Sequence, residues 1–579
     1  MKIRQIASGI ALILSFTSVC QAFESKQEHE RPKPPVTVKI VAINDFHGQL
    51  ESPETTLRNV PATPTLPSPD WIAGYIADLK SKNPNTAFVS AGDLIGATPL
   101  VSALFHDEGI IETMNRAGLE INAVGNHEFD EGKDELLRMQ RGGCHPTDVN
   151  SCQGASVGTP VPFEGADFKF LAANVVETAT GKTLFPSFTI KEYDDVKVGY
   201  IGLTLKETPT IVTPTGVAGL EFKDEAATIN ALIPQLYRRG AKAIVVLIHQ
   251  GGTIPVAQAV STINTCDGNL DGSPIKTIVN QLSDSVDLVI SGHTYQAYNC
   301  MIATKNGAHL IPVTSANSQG RVFTEIDMVI NAISGRIQSV NAINKVVDRT
   351  NTAIIPDVGI KQIVDNYKTL VQPIANRIIG SITAILSRTA NATGESAMGD
   401  VIADAQLAAT KDPAFGGAVV AFMNPGGVRA DLTFLSSSAG EGDGNVTFGE
   451  AFTVQPFGNS LVTMTLTGTQ IETLLEQQFQ GCPNNQPFNR ILSTSEGFSY
   501  EWALSSPASI KINDVAVDPT ANYRVTVNSF MADGGDNFLV LPQGINRLGG
   551  AQDIDALADY FAANSPVSPS ALDRILRLP

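Results

Sequence analysis

Five apolar segments of the chain each end in side chains that can bind a metal ion. Segments such as "KIVAI" and "AIVVLI" are rich in β-branched residues, which is typical of buried strands. Polar residues with nitrogen or oxygen donors follow directly after each segment. They are Asp45 and His47, Asp93, Asn126 and His127, His249, and His293. Four of the eight histidines in the chain therefore lie at predicted strand ends.

These residues have the donor types of a polynuclear metal site. In open α/β sheets, ligands bind beyond the carboxyl ends of the strands, so five such ends can converge on one crevice. Asp45 and His47 are two residues apart, which points both side chains to one side of an extended backbone. Mixed carboxylate, imidazole and amide donors favour Zn, Mn or Fe over Mg or Ca. Asp93 has two oxygens and can bridge two ions, which would activate a water for attack on a phosphate ester.

The segment "GNHEFD" indicates a second chemical role. If Asn126 binds a metal through its amide oxygen, the adjacent His127 points elsewhere. Asp130 follows three residues later, close enough in a turn to hydrogen-bond the imidazole and favour its protonated form. His127 would then stabilise charge on the transferred phosphoryl group or on the leaving oxygen. The alternatives are that His127 is a further metal ligand or a residue at a helix start.

Five motifs of the chain, in this order, resemble those of the calcineurin-like metallophosphoesterases: "NDFHG", "GD", "GNHEFD", "HQGG" and "SGH". From about residue 37 to its end, the chain resembles the 5′-nucleotidase family of exported nucleotide hydrolases. The resemblance implies an N-terminal domain of α/β/β/α layers that binds two divalent ions, with His127 and Asp130 as a catalytic pair. It also implies the metal ligands, which would be Asp45, His47, Asp93, Asn126, His249 and His293.

One position departs from the family pattern. Family members carry a further ligand two residues after the histidine of "SGH", commonly Gln, Asn or His. Here this position is Tyr295, and Gln296 comes one residue later. Three outcomes are open: Tyr295 binds the metal as a phenolate, Gln296 turns in, or water takes the place.

The C-terminal half carries loops whose role their residues alone leave open. "NPGGVR" is compatible with a glycine turn and a surface arginine, and "QPFGN" and "FMADGGDNF" with aromatic residues packed in loops. The resemblance implies instead that these loops bind the nucleotide. The implied contacts are Asn424 with the base or ribose, Arg429 with the phosphate, Phe457 and Phe530 with the faces of the base, and Asp536 with the ribose hydroxyls. Several family members have further arginines in or just before the stretch that here reads "GESAMGDVIADA". This stretch contains no arginine in the present chain, so we expect the phosphate clamp to rest mainly on Arg429.

The elements that must position these residues fall into two domains, with α/β and α+β character overall. Residues 37–350 alternate strand and helix patterns and are predicted to form the four-layer α/β/β/α metallophosphoesterase domain. Apolar residues at helical spacing predict a linker helix within 351–380. Residues 381–579 are predicted to form an α/β nucleotide-binding domain.

The N-terminus has the pattern of a secretory signal peptide at residues 1–22. Lys2 and Arg4 precede an apolar run, and Ala22 completes a cleavage site of small residues. A membrane anchor and a lipoprotein site at Cys20 are the alternatives. Residues 23–36 are polar and Pro-rich and are interpreted as a tether. After cleavage we expect a soluble protein that is periplasmic or secreted and has no membrane partner.

Composition and charge limit the classes of function. The chain has 579 residues, of which 43% are hydrophobic and 17% charged, as in folded multidomain proteins. The net charge of −18 disfavours a nucleic-acid polymer as partner, because polymers of phosphate bind basic surfaces. A small phosphate substrate stays compatible, since bound cations dominate the local field. In an oxidising compartment we expect Cys144 to pair with Cys152 and Cys266 with Cys300, which leaves Cys482.

We therefore expect an exported hydrolase of nucleotides that releases nucleoside and phosphate through attack by a metal-activated hydroxide. Alternatives within the class are a 2′,3′-cyclic phosphodiesterase with 3′-nucleotidase activity and a nucleotide-sugar diphosphatase. A hydrolase of sulfur compounds on the same fold is disfavoured by Phe457, Phe530 and Asp536. The non-enzyme alternative is a silent nucleotide-binding surface protein, against which the intact ligand set argues. These residues indicate neither the preferred base nor an oligomeric state.

Overall fold

The computed structural model describes residues 33–51, 68–212, 214–256, 261–307, 309–437, 439–481, 483–484 and 486–578. The predicted signal peptide, most of the predicted tether and Cys482 lie outside the described residues. None of the helices in the described ranges has the length and apolar character needed to cross a bilayer.

Two six-stranded sheets form the centre of the N-terminal half. In each, four neighbouring strands run parallel, so their carboxyl ends meet at one edge. In spatial order the first sheet consists of Ile337–Val346, Val322–Ile330, Val36–Ile43, Thr86–Ser90, Ile121–Ala123 and Lys169–Leu171. The second consists of Ala297–Ala303, Leu310–Ala316, Leu288–Ser291, Ala243–His249, Val196–Thr204 and Phe188–Tyr193.

The two sheets pack face to face and helices cover their outer faces. Ile40 of the first sheet and Leu247 of the second are fully buried in the core between them. Because side chains alternate along a strand, Val41 and Ile248 point outward into the helix layers instead. The α/β/β/α layering expected from the resemblance is confirmed. The covering helices are Pro69–Lys82, Glu108–Ala117 and Lys133–Arg141 on the first sheet, and Glu225–Arg238 and Pro274–Val279 on the second.

A helix at Val358–Ala375 leads from the N-terminal half to the C-terminal half. Asp357 caps its start by accepting a hydrogen bond from the backbone N–H of Ile360. Its apolar stripe, which includes Tyr367, is buried in the same core as the helices of the first sheet. Phe448 of the C-terminal half also packs against that core. The helix is therefore a packed part of the helix layer that covers the first sheet.

The C-terminal half is built around a five-stranded sheet and a four-stranded sheet. The five strands are, in spatial order, Ser493–Thr494, Val420–Met423, Asn522–Asn528, Ser460–Thr467 and Ile545–Gln552. The four strands are Val515–Ala516, Ser506–Ile512, Phe498–Ala503 and Ile575–Arg577. The main helices are Ala397–Thr410, Phe448–Val454, Gly468–Glu476 and Asp553–Asn564. Capping boxes at Thr447 and Thr467 begin two of them.

Both expected disulfides are present. Cys144 and Cys152 close a short loop, with their Cα atoms 5.4 Å apart. Cys266 and Cys300 join a loop to the outermost strand of the second sheet, with their Cα atoms 5.1 Å apart. Each bond restricts a surface segment of the N-terminal half.

Candidate active site

The six predicted metal ligands lie together at the edge where the carboxyl ends of the parallel strands meet. The first sheet contributes four of them and the second sheet two. Asp45 and His47 follow Val36–Ile43, Asp93 follows Thr86–Ser90, Asn126 follows Ile121–Ala123, His249 ends Ala243–His249, and His293 follows Leu288–Ser291. Asp45, His47, Asp93 and His293 all have positive φ, so the backbone turns sharply where each strand ends.

Asp93 is shared between two groups of ligand atoms. One group consists of Asp45, His47 and Asp93, and the other of Asp93, His249 and His293. The Oδ2 atom of Asp93 is 2.9 Å from Nε2 of His249 and 3.8 Å from Nε2 of His47. Its Oδ1 atom accepts a hydrogen bond from the backbone N–H of His127, at 2.9 Å. Only Oδ2 is therefore free to face both groups.

Three ligand atoms of this centre are buried and directed at one another. Oδ1 of Asn126 has no hydrogen-bond partner among the described residues, and Oδ2 of Asp93 and Nε2 of His249 face each other at 2.9 Å. A buried polar atom left unpaired costs about 1–3 kcal/mol, so the protein alone does not explain the amide oxygen of Asn126. A divalent ion would satisfy it, and carboxylate, amide and imidazole donors fit ions of the Zn, Mn or Fe class.

The histidine rings are oriented by backbone carbonyls. Nδ1 of His47 lies 2.8 Å from the carbonyl oxygen of Gly96, and Nδ1 of His249 lies 2.8 Å from that of Ala91. Each Nδ1–H donates to its carbonyl, which directs Nε2 of both rings into the centre. Burial lowers the pKa of His47 and of His293 to about 3, so both rings are neutral at pH 7 and can bind metal.

Charge in the centre favours a cation. Burial alone would lower the pKa of His249, but the adjacent Asp93 carboxylate outweighs it and raises that pKa to about 10. Burial also raises the pKa of the Asp45 carboxyl to about 7. Both shifts have one cause: carboxylates enclosed by apolar strands strongly favour a neighbouring positive charge.

Glu128 is a site residue that the sequence interpretation missed. Its buried carboxylate accepts hydrogen bonds from the backbone N–H groups of Asp93, Leu94 and Gly125, and from the side chain of Asn122. It thereby ties the loop that carries Asp93 to the loop that carries Asn126. Its position inside "GNHEFD" could have indicated this role. A buried carboxylate needs several hydrogen-bond donors, and the backbone of the neighbouring motif loops supplies them.

His127 and Asp130 form a hydrogen-bonded pair beside the metal ligands. Nδ1 of His127 is 2.9 Å from Oδ2 of Asp130, and Asp130 also accepts from the backbone N–H of Ala97. Burial lowers the pKa of His127, but the Asp130 and Asp93 carboxylates reverse the effect and raise it. The ring centroid of His127 is 5.1 Å from that of His47.

Two residues of the C-terminal half reach the same place. The ring of Phe457 stacks on His127, with centroids 5.8 Å apart. Nη2 of Arg429 donates a hydrogen bond to Oη of Tyr295 at 2.8 Å. Arg388 donates to the carbonyl oxygen of Arg429, so a second guanidinium lies next to the predicted phosphate clamp. The two halves therefore contact each other directly over the candidate metal centre.

Tyr295 connects these C-terminal residues to a metal ligand. Its Oη is 2.7 Å from Nε2 of His47. Burial raises the pKa of the Tyr295 phenol well above its usual value. Gln296 is engaged elsewhere, since its Oε1 accepts from the backbone N–H of Ile254.

The other predicted nucleotide contacts form a separate group. Asn424 and Phe530 follow the parallel strands Val420–Met423 and Asn522–Asn528, so the strand-end rule brings them together. Nδ2 of Asn424 donates to Oδ2 of Asp536 at 2.8 Å, and Phe530 lies against Gly535. Arg490, which the sequence interpretation missed, forms a buried ion pair with Asp536. Within the described part of the chain, no ring-to-ring contact joins Phe530 to Phe457.

The chain matches two family models and several known proteins. Residues 38–297 match calcineurin-like phosphoesterase, and residues 378–543 match the 5′-nucleotidase C-terminal domain. Endonuclease YhcR of Bacillus subtilis is 28% identical over 99% of this chain, and cell wall protein Lmo0130 of Listeria monocytogenes is 30% identical over 87%. The chain spans 43% of the length of the first and 64% of the second.

A solved structure has the same architecture over nearly the whole chain. The crystal structure of a 5′-nucleotidase precursor from Thermus thermophilus is 25% identical, with a TM-score of 0.73, and the match covers 94% of this chain and 99% of that one. The two matched family models together take up most of the sequence. The chain belongs to the 5′-nucleotidase family, with a calcineurin-like phosphoesterase domain followed by a 5′-nucleotidase C-terminal domain.

Proposed function

We propose that this protein is an exported, metal-dependent phosphohydrolase that converts nucleotides to nucleoside and phosphate. The observation that carries the proposal is Asp93, which belongs to two groups of possible metal ligands at once, while Arg429 contacts Tyr295 and Phe457 contacts His127 from the other half. Two ions bound there would supply Lewis-acid charge to the phosphate and lower the pKa of a water. Their ligands would be Asp45, His47, Asp93, Asn126, His249 and His293.

His127 and Asp130 act on the developing charge. The Asp130 and Asp93 carboxylates raise the pKa of His127 and so favour its protonated form, and Asp130 holds one proton on Nδ1. The Nε2–H then donates to an oxygen of the phosphoryl group or of the leaving group as negative charge builds there. A fixed donor in a buried site contributes more than the same donor in water, because few waters must reorganise.

The C-terminal half selects the substrate. Arg429 binds phosphate oxygens through its planar fork, with Arg388 adding positive charge beside it. Phe457 and Phe530 bind the faces of the base, and Asn424 and Asp536 bind the base or ribose. The ion pair of Arg490 with Asp536 and the hydrogen bond from Asn424 support this role by holding the carboxylate in one orientation.

A mononucleotide suits this chain better than a polymer. One relative is named an endonuclease, which raises a nucleic-acid strand as an alternative substrate. The net charge of −18 opposes it, because binding a polymer of phosphates needs an extended basic surface. Export is supported by the N-terminal sequence pattern and by two disulfides, which persist in oxidising compartments.

In this proposal, Tyr295 would be a further ligand in the group of Asp45, His47 and Asp93. Its hydroxyl already lies beside Nε2 of His47, whereas the amide of Gln296 is held by Ile254. The hydrogen bond from Arg429 favours negative charge on the phenolic oxygen and opposes the burial that raises the phenol's pKa, and a bound cation would add to this effect. Tyr295 would thus couple the phosphate-binding arginine to the metal site.

The function is tested by phosphate release from a panel of substrates. The panel contains nucleoside 5′-monophosphates, 2′,3′-cyclic nucleotides, nucleotide sugars and single-stranded DNA. We expect turnover of the 5′-monophosphates that is lost with chelator and restored by Zn²⁺ or Mn²⁺. Turnover of the DNA with inert mononucleotides would overturn the proposal, as would activity that survives complete metal removal.

Glu128→Gln is expected to weaken metal binding. The amide keeps the volume but cannot accept three backbone N–H bonds, so the loops of Asp93 and Asn126 lose their connection. Outer residues of this kind alter metal affinity by about 10–100-fold. Metal affinity would be measured by competition with a chelator. Glu112→Gln, another buried carboxylate, is the matched control and should leave affinity unchanged; equal behaviour of both variants would refute the role of Glu128.

Asp130→Asn is expected to move the pH profile of kcat. Because Asp130 raises the pKa of His127, activity that requires imidazolium persists to higher pH and is lost as pH rises through that pKa. Without the carboxylate the pKa falls, so the alkaline loss of kcat should begin at lower pH. Asp134→Asn, on an exposed neighbour, should leave the profile unchanged. An alkaline limb that stays in place in Asp130→Asn contradicts the pairing.

Tyr295→Phe is expected to weaken binding of the ion held by Asp45, His47 and Asp93 by about 10-fold or more, because one oxygen donor is lost. Gln296→Ala tests the competing ligand and should leave the affinity unchanged. Metal titration monitored by calorimetry distinguishes the cases. Weaker metal binding in Gln296→Ala would show that the Gln296 amide is the additional ligand. Unchanged metal binding in both variants would assign that ligand position to water.

A further inference from the structure

Three polar side chains of one loop in the C-terminal half contact Asp536 and the residue that follows it. Nε2 of Gln486 donates to the carbonyl oxygen of Asp536 at 2.5 Å, and Nδ2 of Asn484 donates to that of Asn537. Nη1 of Arg490 forms the ion pair with the Asp536 carboxylate. Because Asp536 is a predicted nucleotide contact, this loop adjoins the predicted nucleotide-binding group.

Each of these three side chains keeps one buried polar atom without a hydrogen-bond partner in the part of the chain that the structure describes. The atoms are Oε1 of Gln486, Oδ1 of Asn484 and Nε of Arg490. Gln486 is 2% exposed and Arg490 9% exposed, so bulk water does not solvate them freely. Buried polar groups in folded proteins nearly always have a partner. Three unpaired atoms around one predicted substrate contact therefore indicate a ligand.

The other contacts of the two amides determine which of their atoms are unpaired. The amide nitrogen of Gln486 faces a carbonyl oxygen, and that of Asn484 faces two, those of Gln477 and Asn537. A flipped amide would place two acceptors against each other, so the unpaired atoms are the amide oxygens. The guanidinium of Arg490 can only donate. Together the three side chains therefore offer a ligand two acceptors and one donor.

Backbone contacts hold the loop in place. The backbone N–H of Arg490 donates to the carbonyl oxygen of Gln478 at 2.7 Å, and that of Gly481 donates to the carbonyl oxygen of Gln486 at 2.9 Å. The Cζ atom of Arg490 lies 4.8 Å from the ring centroid of Phe488, which packs against the guanidinium. Phe488 itself is 57% exposed, so this part of the loop lies at the protein surface. The polar atoms are thus oriented before a ligand arrives, which lowers the entropy lost on binding.

Two acceptors and one donor complement one of the four common bases. The Watson–Crick edge of guanine presents two N–H donors, on N1 and on the exocyclic amine, and one acceptor, O6. Adenine presents one donor and one acceptor on this edge, cytosine one donor and two acceptors, and uracil one donor and two acceptors. Guanine is therefore the base whose edge pairs with all three atoms of the loop.

We propose that Asn484, Gln486 and Arg490 bind the Watson–Crick edge of guanine, which makes guanine nucleotides the preferred substrates. The inference rests on the proposed function and adds the identity of the base. N1–H and the exocyclic amine donate to the amide oxygens of Gln486 and Asn484, and Nε–H of Arg490 donates to O6. Nη1 of Arg490 keeps its ion pair with Asp536, which orients the guanidinium. Phe530 contacts the face of the same base.

The kcat/KM values for the 5′-monophosphates of guanosine, inosine, adenosine and cytidine test the inference. We expect the guanosine nucleotide to exceed those of adenosine and cytidine by about 10-fold or more, because a wrong base leaves buried polar groups unpaired. Inosine 5′-monophosphate lacks the exocyclic amine but keeps N1–H and O6, so its value should lie between. Equal values for the guanosine and adenosine nucleotides would overturn the inference and leave the proposed function standing.

Nucleoside binding separates the inference from the proposed function. If none of the four nucleotides is hydrolysed, the proposed function fails, and calorimetry with guanosine and adenosine decides the inference. Tighter binding of guanosine to the full chain supports it. Equal binding of the two nucleosides, or no binding of either, overturns it.

Gln486→Leu separates recognition of the base from a structural role of the loop. Leucine removes the amide, so the ratio of kcat/KM for the guanosine nucleotide to that for the adenosine nucleotide should fall towards one. Gln543→Leu, which changes an exposed glutamine of the same half, is the matched control and should keep the wild-type ratio. Equal losses of activity on both nucleotides in Gln486→Leu would indicate a structural role and contradict the inference.

Arg490→Lys gives a second measurement on a different side chain. Lysine keeps a positive charge for Asp536 but lacks the second donor of the planar fork. The guanosine-to-adenosine ratio of kcat/KM should therefore fall in this variant as well. A ratio that stays at the wild-type value in Arg490→Lys would show that Nε does not contact the base and would overturn the proposal.

Discussion

The carboxylate of Asp93 is enclosed between two sheets and faces imidazoles from both of them. His47 comes from the first sheet and His249 and His293 from the second, so the group exists only when the sheets are packed together. Burying charge in this way costs several kcal/mol per ion unless opposite charge is supplied. The backbone N–H of His127 engages one oxygen of Asp93 and leaves the other for the centre. This single oxygen is therefore the one that Asp93 can offer to both ligand groups.

The rest of the site follows from that arrangement. The three-residue turn His127–Phe129 carries the proposed catalytic histidine and Glu128, and it begins directly after the predicted ligand Asn126. Asn126 and His127 are adjacent in the chain, so their positions are not independent. From the opposite side, Arg429 reaches His47 through the hydroxyl of Tyr295. In the proposed function, these two hydrogen bonds would connect the phosphate-binding arginine to a metal ligand.

The N-terminal part of the site could be predicted from the sequence because it obeys a local rule. Parallel strands end at one edge, so polar residues directly after apolar segments converge, as Asp45, Asp93 and His249 do. The same rule explains why Asn424 and Phe530 meet. Arg490 and Arg388 could not be found this way, because their partners are distant in sequence and depend on how loops fold back.

The most direct test of the account is whether two ions share Asp93. The protein loaded with Mn²⁺ would be examined by electron paramagnetic resonance, with Asp93→Asn as the comparison. A bridging carboxylate holds two ions roughly 3.5–4 Å apart, which is close enough for their spins to couple. The account predicts a spin-coupled signal in the wild type that is lost in Asp93→Asn. A wild-type spectrum of isolated ions only, at full metal loading, would contradict it.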